Sequence, residues 1–167
     1  MSGEPESSMT AKDKLSRFEQ LIDDYLAKRG IHKVEYNEEA LKVLQMKSFE
    51  LKALTSTECG ELAFSLAQYS LYMQQQINEQ TTRINWAKNN IKNIIAQNSG
   101  QFDRYMKYEE KEHAIIVNNE HALKLNEILS YAQAVSDRLL YMSGKIQSLS
   151  STLIELQRSK RRVDNVN

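Results

Sequence analysis

Residue types that commonly carry catalysis or bind metals are few in this 167-residue chain, and they are widely spaced. His113 and His121 lie among glutamates, but their separation does not match HExxH, and no third ligand stands at a usual spacing. A solvated, charged surface is the better interpretation of that stretch. Cys59 is the only cysteine, which excludes an internal disulfide and a cysteine-based zinc cluster, so a small buried side chain is the expectation there.

Glycine placement argues against a phosphate-binding loop. The five glycines stand at positions 3, 30, 60, 100 and 144, too far apart for a GxGxxG or Walker arrangement. The sequence also has no nucleophile elbow and no plausible catalytic triad. We therefore expect a protein that is not an enzyme and that uses no cofactor or metal.

Cationic and aromatic side chains are interleaved between residues 80 and 108, with a single acidic residue among them. Cations that follow phosphates, with rings on which bases stack, suit sequence-tolerant binding of single-stranded nucleic acid. The candidate contact residues are Arg83, Trp86, Lys88, Lys92, Arg104, Tyr105, Lys107 and Tyr108. At about 100° per residue, Lys88 and Lys92 share one flank of a helix. Arg83 and Trp86 lie on the other flank, so an ordinary polar helix surface explains these residues as well.

A second cationic cluster lies near the C-terminus and comprises Arg158, Lys160, Arg161 and Arg162. Basic residues stabilise the negative end of a helix dipole, which accounts for one or two of them. The surplus suggests that Lys160, Arg161 and Arg162 contact phosphate or an acidic partner. The chain as a whole has 22 basic and 22 acidic residues, so any contact with nucleic acid must come from such local patches.

The elements that hold these residues are predicted to be long helices. One proline and five glycines indicate few turns. Apolar residues at 3-4 spacing predict a helix over residues 11–29 that ends at Gly30. A second short helix is predicted to begin at Asn37, with an apolar face that extends towards Leu51.

Two heptad-patterned helices dominate the rest of the chain. Thr55 and Glu58 have capping-box spacing and begin a helix to about Gln97, which Asn98-Ser99-Gly100 ends. A helix that carries Phe102, Tyr105, Met106 and Tyr108 is predicted next, with a break at Asn118-Asn119. The last helix spans residues 120–162, and its apolar seam comprises Leu125, Ile128, Ala132, Val135, Leu139, Met142, Ile146, Leu149, Leu153 and Leu156.

The predicted fold class is all-α, an elongated helical hairpin or bundle with two long heptad-patterned helices. Such helices pair either within one chain or between chains, and the spacing of their apolar residues does not determine which of the two occurs. Leu129, Tyr131, Leu140 and Tyr141 widen the apolar stripe beside the seam of the last helix. A stripe that broad favours a multi-helix bundle, so we predict a homo-oligomer held by the seam residues.

The predicted organisation has four parts: a disordered N-terminus (1–10), a short helical extension (11–54), a long-helix core for oligomerisation and DNA binding (55–163) and a flexible tail (164–167). Residues 1–10 lack the apolar core of a signal peptide. No stretch approaches the roughly 18 apolar residues that span a bilayer. We therefore expect no membrane association and a cytoplasmic location.

Short sequence words carry a resemblance to a known family. They are Tyr69-Ser70 within the stretch 63–73, Asp103-Arg104-Tyr105, and the polar turn before a last helix that ends in a basic turn. Over residues 59–162 the chain resembles the recombination mediator family of T-even-like phages (the UvsY family). It departs from that family at residues 94–97, where Ile-Ile-Ala-Gln replaces a denser run of basic and aromatic residues. That departure shifts the expected DNA contacts to Arg104, Lys107 or the C-terminal cluster.

The resemblance implies a small helical protein that forms a ring-like oligomer and binds single-stranded DNA. It also implies two protein partners. One is a recombinase, and the other is the single-stranded-DNA-binding protein that covers the strands onto which the recombinase is loaded. The location would be the host cytoplasm if the chain is phage-encoded. The alternative is a structural or adaptor coiled-coil protein, such as a scaffolding component, without nucleic-acid binding.

Overall fold

The computed structural model describes residues 9–103 and 105–164. In that part of the chain all regular secondary structure is helical, and no β-strand is present. The helices are α1 (Ala11–Ala27), α2 (Glu38–Gln45), α3 (Ser48–Ala53), α4 (Ser56–Asn98), α5 (Tyr108–Asn118) and α6 (Glu120–Asp164), with a 3-10 turn at Ser99–Gln101. The prediction of an all-α fold with two long helices is confirmed. Among the described residues, no helix combines the length and the apolar character that a membrane span requires.

Local side-chain contacts fix the starts of the two long helices. The Glu58 N–H donates to Thr55 Oγ1 (3.2 Å), and the Thr55 N–H donates to Glu58 Oε2 (2.6 Å), so the predicted capping box is present. The Ala122 N–H donates to Asn119 Oδ1 (2.9 Å), which caps α6 at the predicted break. Both boundaries follow from residue types that satisfy the free N–H groups of a first helical turn.

Gly30 ends the segment that begins with α1. Its φ of 70° lies in the left-handed region. The Gly30 N–H donates to Ala27 O (3.0 Å) and the Ile31 N–H donates to Leu26 O (3.1 Å), the two bonds of a Schellman motif. The predicted glycine stop is therefore confirmed.

Two predicted helices differ from the structure. The segment after Asn37 forms two helices, because Met46 leaves the helical conformation with a ψ of 137° and α3 begins at Ser48. The prediction of a helix through Phe102 and Tyr105 is wrong. Instead, the Asp103 carboxylate accepts a bond from the Tyr105 N–H (3.0 Å), a turn that competes with helix, and α5 begins only at Tyr108.

The described chain divides into two compact units. One, here called the α5 unit, contains residues 9–32 and 79–136, and the other, the α2–α3 unit, contains residues 33–78 and 137–164. The long helices α4 and α6 contribute to both. This division cuts across the predicted boundary between an N-terminal extension (11–54) and a core (55–163), because α1 belongs to one unit and α2 and α3 to the other. The predicted disordered residues 1–8 and tail residues 165–167 lie outside the described residues.

Each unit has an apolar core of its own. In the α5 unit, buried side chains from four helices meet, and they are Ala11, Ile91, Ile95, Ile115 and Leu125. In the α2–α3 unit the buried cluster comprises Ala40, Val43, Ala63, Leu66, Tyr69, Met73, Ile146 and Leu153. The predicted seam of α6 contributes Leu125, Ile146 and Leu153 to these clusters, so the 3-4 spacing correctly placed these three residues on the buried face.

The long helices pair within one chain and run antiparallel. In the α2–α3 unit, Ser56 Oγ donates to Gln157 O (3.5 Å) and Ser150 Oγ donates to Ala63 O (3.2 Å). The structure differs from the predicted seam at Met142, which is 44% exposed, whereas Ser143 beside it is 6% exposed. The departure is local, because Ile146 and Leu153 farther along the seam are each 1% exposed.

The segment before α2 is held along α4 by side chains that the sequence did not reveal. The Val34 N–H donates to Gln75 Oε1 (2.7 Å), Asn37 Nδ2 donates to Gln68 Oε1 (3.0 Å), and Ser65 Oγ donates to Glu39 (3.2 Å). Tyr36 meets the rings of Tyr69 and Tyr72 edge-on at 5.7 and 5.6 Å between centroids. Burial raises the pKa of the Tyr69 phenol.

Candidate nucleic-acid interface

Lys88 and Lys92 stand on the solvent side of α4 within the α5 unit, and both are exposed. They are one helical turn apart, so they lie on the same flank. The opposite face carries Ala87, Ile91 and Ile95, which are buried in the core. The packing of that face therefore fixes the direction in which the two ammonium groups point.

The asparagines around these lysines fall into two groups. Asn90 Nδ2 donates to Trp86 O (2.8 Å) and Asn98 Nδ2 donates to Ile94 O (2.7 Å), so these two amides bind their own helix. Asn85, Asn89 and Asn93 are exposed beside the lysines. Exposed amides are among the side chains that can contact phosphate oxygens in protein–DNA complexes.

The turn between α4 and α5 presents two tyrosines to solvent. Tyr105 is 93% exposed, and Tyr108, the first residue of α5, is 62% exposed. Lys107 lies between them at the position just before α5 and is exposed. Phe102, by contrast, packs against the core of the α5 unit, which anchors the turn. The predicted contact residue Arg104 lies outside the described residues.

Arg83 and Trp86 face the interior of the α5 unit. The Arg83 guanidinium contacts the Glu19 carboxylate of α1 with an Nε–Oε1 distance of 2.5 Å, and this bond raises the pKa of Arg83. Trp86 is half-buried and packs against the apolar cluster. Neither side chain is presented to solvent as Lys88 and Lys92 are. The sequence held no signal for the Arg83–Glu19 contact, because its partners are distant along the chain.

The C-terminal cationic cluster is partly engaged within the α2–α3 unit. Lys160 Nζ donates to Lys52 O at the end of α3 (2.8 Å), and Arg161 Nε donates to Ser56 Oγ (3.3 Å). Arg158 pairs with Glu155 at 2.6 Å on the helix surface. Lys160 and Arg161 therefore connect the end of α6 to the end of α3 and to the start of α4. Arg162 is exposed and takes no part in these two contacts.

The structure sorts the predicted contact residues by unit. Lys88, Lys92, Tyr105, Lys107 and Tyr108 belong to the α5 unit and are exposed. Lys160, Arg161 and Arg162 belong to the α2–α3 unit. The most coherent candidate group is the turn containing Tyr105, Lys107 and Tyr108, because these residues adjoin one another in the chain.

The predicted seam residues contact other parts of the same chain. Leu125 is buried and Ile128 packs against the same core in the α5 unit. Ile146 and Leu153 are buried in the α2–α3 unit, with Leu139 and Leu149 packed against them. Val135 and Leu156 are half-buried. Association between chains stays a prediction, and the apolar side chains of α6 that remain exposed include Tyr131, Leu140 and Tyr141.

The residues considered for metal or thiol chemistry occupy separate surroundings. Within the described ranges, no group of three or more histidine, cysteine, aspartate or glutamate side chains is arranged to hold a metal ion. Cys59 is buried, and desolvation raises the pKa of its thiol, as for a small core residue. His121 is half-buried in the first turn of α6, where desolvation, Lys14 and Lys124 lower its pKa.

Comparison of the chain with models of protein families, with curated proteins and with solved structures gave no match. The resemblance to recombination mediators stays a prediction that rests on the sequence words quoted above. Function is therefore inferred from the exposure, contacts and charge of the side chains themselves.

Proposed function

We propose that this protein is a non-enzymatic recombination mediator that binds single-stranded DNA and helps to load a recombinase onto it. The observation that carries the proposal is the turn before α5, where Tyr105 is 93% exposed and Tyr108 is 62% exposed on either side of the exposed Lys107. A ring held in water by a short turn is available for stacking on a base. Each such base–aromatic contact contributes about 1–3 kcal/mol and tolerates any sequence.

Cations on the same unit supply the phosphate contacts in this proposal. Lys88 and Lys92 are exposed on one flank of α4, with exposed asparagine amides beside them. Glu109 and Glu110 follow Tyr108 directly and reduce the net positive charge near the turn. Affinity per chain is therefore modest. A homo-oligomer repeats the patch along one strand, and linked sites of this kind raise avidity without new contacts.

The contribution of the turn is tested with matched aromatic variants. Tyr105→Ala together with Tyr108→Ala should weaken binding of a fluorescein-labelled oligothymidylate by about tenfold or more, because two stacking contacts are lost. Phe64→Ala is the control, since Phe64 is 65% exposed on α4 in the other unit. Fluorescence anisotropy at low salt measures both. Equal affinities for the double variant and the control variant would remove the turn from the interface.

A structural or adaptor role is the second candidate, and the engaged cations favour it. Arg83 pairs with Glu19, Lys160 binds the Lys52 carbonyl and Arg161 binds Ser56. These contacts assign three of the predicted DNA-binding cations to stabilising the fold. This role is favoured if light scattering shows an oligomer and that oligomer does not bind single-stranded DNA at about 50 mM salt. Binding would be detected at this salt concentration because phosphate contacts are strongest at low salt.

A further inference from the structure

Helix α1 is buried at its start and exposed over the rest of its length. Ala11 is 2% exposed and Leu15 is 9% exposed, and they anchor the first turns in the α5 unit. Farther along, Phe18 is 36%, Leu21 is 62% and Tyr25 is 55% exposed. Three large apolar side chains therefore face solvent on one helix that has no buried residue beyond Leu15.

Those apolar residues share one side of α1 with cations. At about 100° per residue, an arc of roughly 100° contains Phe18, Leu21 and Tyr25. The charged side chains in the same arc are Lys14, Arg17 and Lys28, all exposed. The Arg29 guanidinium lies 3.9 Å from the centroid of the Tyr25 ring and so adds a further cation to this face. We call this arc, with Arg29, the cationic face of α1.

The acidic residues of α1 lie outside that arc. Asp13 caps the helix, where its carboxylate accepts bonds from Thr10 that lower the pKa of the Asp13 side chain. Glu19 contacts Arg83 of α4. Asp23 and Asp24 fall outside the arc on the helical wheel. The arc that holds the exposed apolar residues thus contains cations and no carboxylate, whereas Lys12 and the four acidic residues of α1 lie outside it.

A shallow hollow of about 480 Å³ opens on this face and is lined by Met9, Lys14, Arg17, Phe18 and Leu21. Two of its lining residues are cations and three are apolar. A ligand that fits it must therefore offer both an apolar side chain and negative charge. This combination is typical of an acidic amphipathic segment of a protein.

We propose that the cationic face of α1 is a docking surface for an acidic amphipathic helix of another protein. Apolar side chains of that helix would contact Phe18, Leu21 and Tyr25. Its carboxylates would pair with Lys14, Lys28 and Arg29, because opposite charges at the rim of an apolar patch orient a partner and exclude like-charged ones. The surface does not use any residue assigned to the proposed DNA contacts.

The chemistry of this face fits other occupants less well. A lipid surface requires a wider apolar stripe than three residues, and Asp24 lies at the edge of the arc, where anionic headgroups would meet it. Nucleic acid would bind through cations and aromatic rings. Leu21 is the most exposed of the three apolar residues, and its side chain cannot stack on a base.

The test uses a fluorescein-labelled synthetic helical peptide whose one face is leucine and whose other face is glutamate, titrated with the full chain. The peptide should bind, and a peptide with lysine in place of glutamate should not. Lys14→Glu should weaken binding by about fivefold, and Leu21→Ser by about tenfold. Lys12→Glu and Leu71→Ser are the matched controls, since Lys12 lies on α1 outside the arc and Leu71 is 62% exposed on α4. Circular dichroism verifies that each variant is folded.

Several outcomes would overturn the proposal. They are absence of peptide binding, equal loss in the Lys12→Glu control, or equal binding of the lysine peptide. If Lys14→Glu and Leu21→Ser instead weaken binding of an oligothymidylate or of phosphatidylserine vesicles and leave peptide binding intact, the face serves nucleic acid or lipid. A lower mass of those variants by light scattering would make it a contact between copies of this chain.

Discussion

Gly30 and Gly144 show how the same residue type meets opposite requirements in this chain. Gly30 adopts a φ of 70° at the end of the α1 segment, a conformation that side chains with a Cβ disfavour. Gly144 lies in the interior of α6, is exposed, and a Cβ added there would meet nothing within 4 Å. The sequence alone predicted both the glycine stop and the uninterrupted helix through Gly144, because each depends on local spacing.

The two glycines give a matched pair of stability predictions. Gly30→Ala should lower the free energy of unfolding by about 1 kcal/mol, since alanine is strained in the left-handed region. Gly144→Ala should raise it by about 1 kcal/mol, because alanine has the higher helix propensity and the site is open. Urea denaturation followed by circular dichroism at 222 nm measures both changes. A shift of the same sign for both variants would contradict the assigned backbone conformations.

His121 predicts a pH dependence of stability near neutrality. Desolvation and two nearby lysines, Lys14 and Lys124, lower its folded pKa below the ordinary value of 6.5. Folding therefore favours the neutral imidazole. The stability that this contributes is present above about pH 6.5 and is lost as the pH falls from there through the lower folded pKa.

Substitution of the imidazole tests this assignment. His121→Gln should reduce the loss of unfolding free energy between pH 7.5 and pH 5.5, because the imidazole that folding keeps neutral is removed. Urea titrations at the two pH values provide the comparison. The same pH dependence in wild type and in His121→Gln would show that another group is responsible.

Most contacts between residues of different helices could not be predicted from the sequence. The Arg83–Glu19 contact and the Tyr36–Tyr69–Tyr72 ring cluster join residues from different helices or segments. Nothing in local spacing specifies such partners. Arg83 and Trp86 were predicted to contact DNA because of their types, and only the packing of α1 and the core against α4 reveals their other contacts.

At the scale of the elements, caps and periodicity were sufficient where each helix end has its own signal. The Thr55–Glu58 box and the Asn119 cap are present as predicted. The prediction of a helix was wrong at Phe102, Tyr105 and Met106, where apolar and aromatic residues are spaced as on a helical face. There Asp103 bonds the Tyr105 backbone, and a three-residue turn of this kind is easily hidden in a longer apolar pattern.

Adjacent leucines of α6 test the buried face directly. Leu139 packs against the core of the α2–α3 unit, whereas Leu140 is 54% exposed. Leu139→Asp should lower the free energy of unfolding by at least about 3 kcal/mol, because it places a carboxylate without a partner among apolar side chains. Leu140→Asp should change it by no more than about 0.5 kcal/mol. Thermal denaturation distinguishes them, and equal destabilisation would contradict the assigned face.

The same pair also bears on assembly. If chains associate through the exposed side of α6, Leu140→Asp should lower the mass by light scattering while the melting transition persists. An unchanged mass would place any contact between chains elsewhere, since a carboxylate in a desolvated interface is costly.

At the scale of the whole molecule, the division into two compact units was not foreseen. The apolar seams of α4 and α6 run through both units without a break that sequence spacing would reveal. The division instead follows from where the shorter helices pack, with α1 and α5 in one unit and α2 and α3 in the other. Such long-range packing depends on side-chain shape, which a periodic pattern does not encode.

The proposed function also depends on the whole molecule. Each chain offers few contacts to DNA, and an assembly of chains would combine them. Among the predicted contacts that the structure describes, the exposed cations of the α5 unit are Lys88, Lys92 and Lys107. Three phosphate contacts per chain would give a slope of about −2 in a plot of log affinity against log salt for single strands. Repetition in an oligomer would make that slope steeper.

The most direct measurement is therefore a salt titration of the binding of this protein to a labelled oligothymidylate by fluorescence anisotropy. The proposed function predicts binding at about 50 mM salt and an affinity that falls with a slope of about −2 or steeper up to about 200 mM. Absence of binding at about 50 mM salt, or an affinity that does not change with salt, would contradict it.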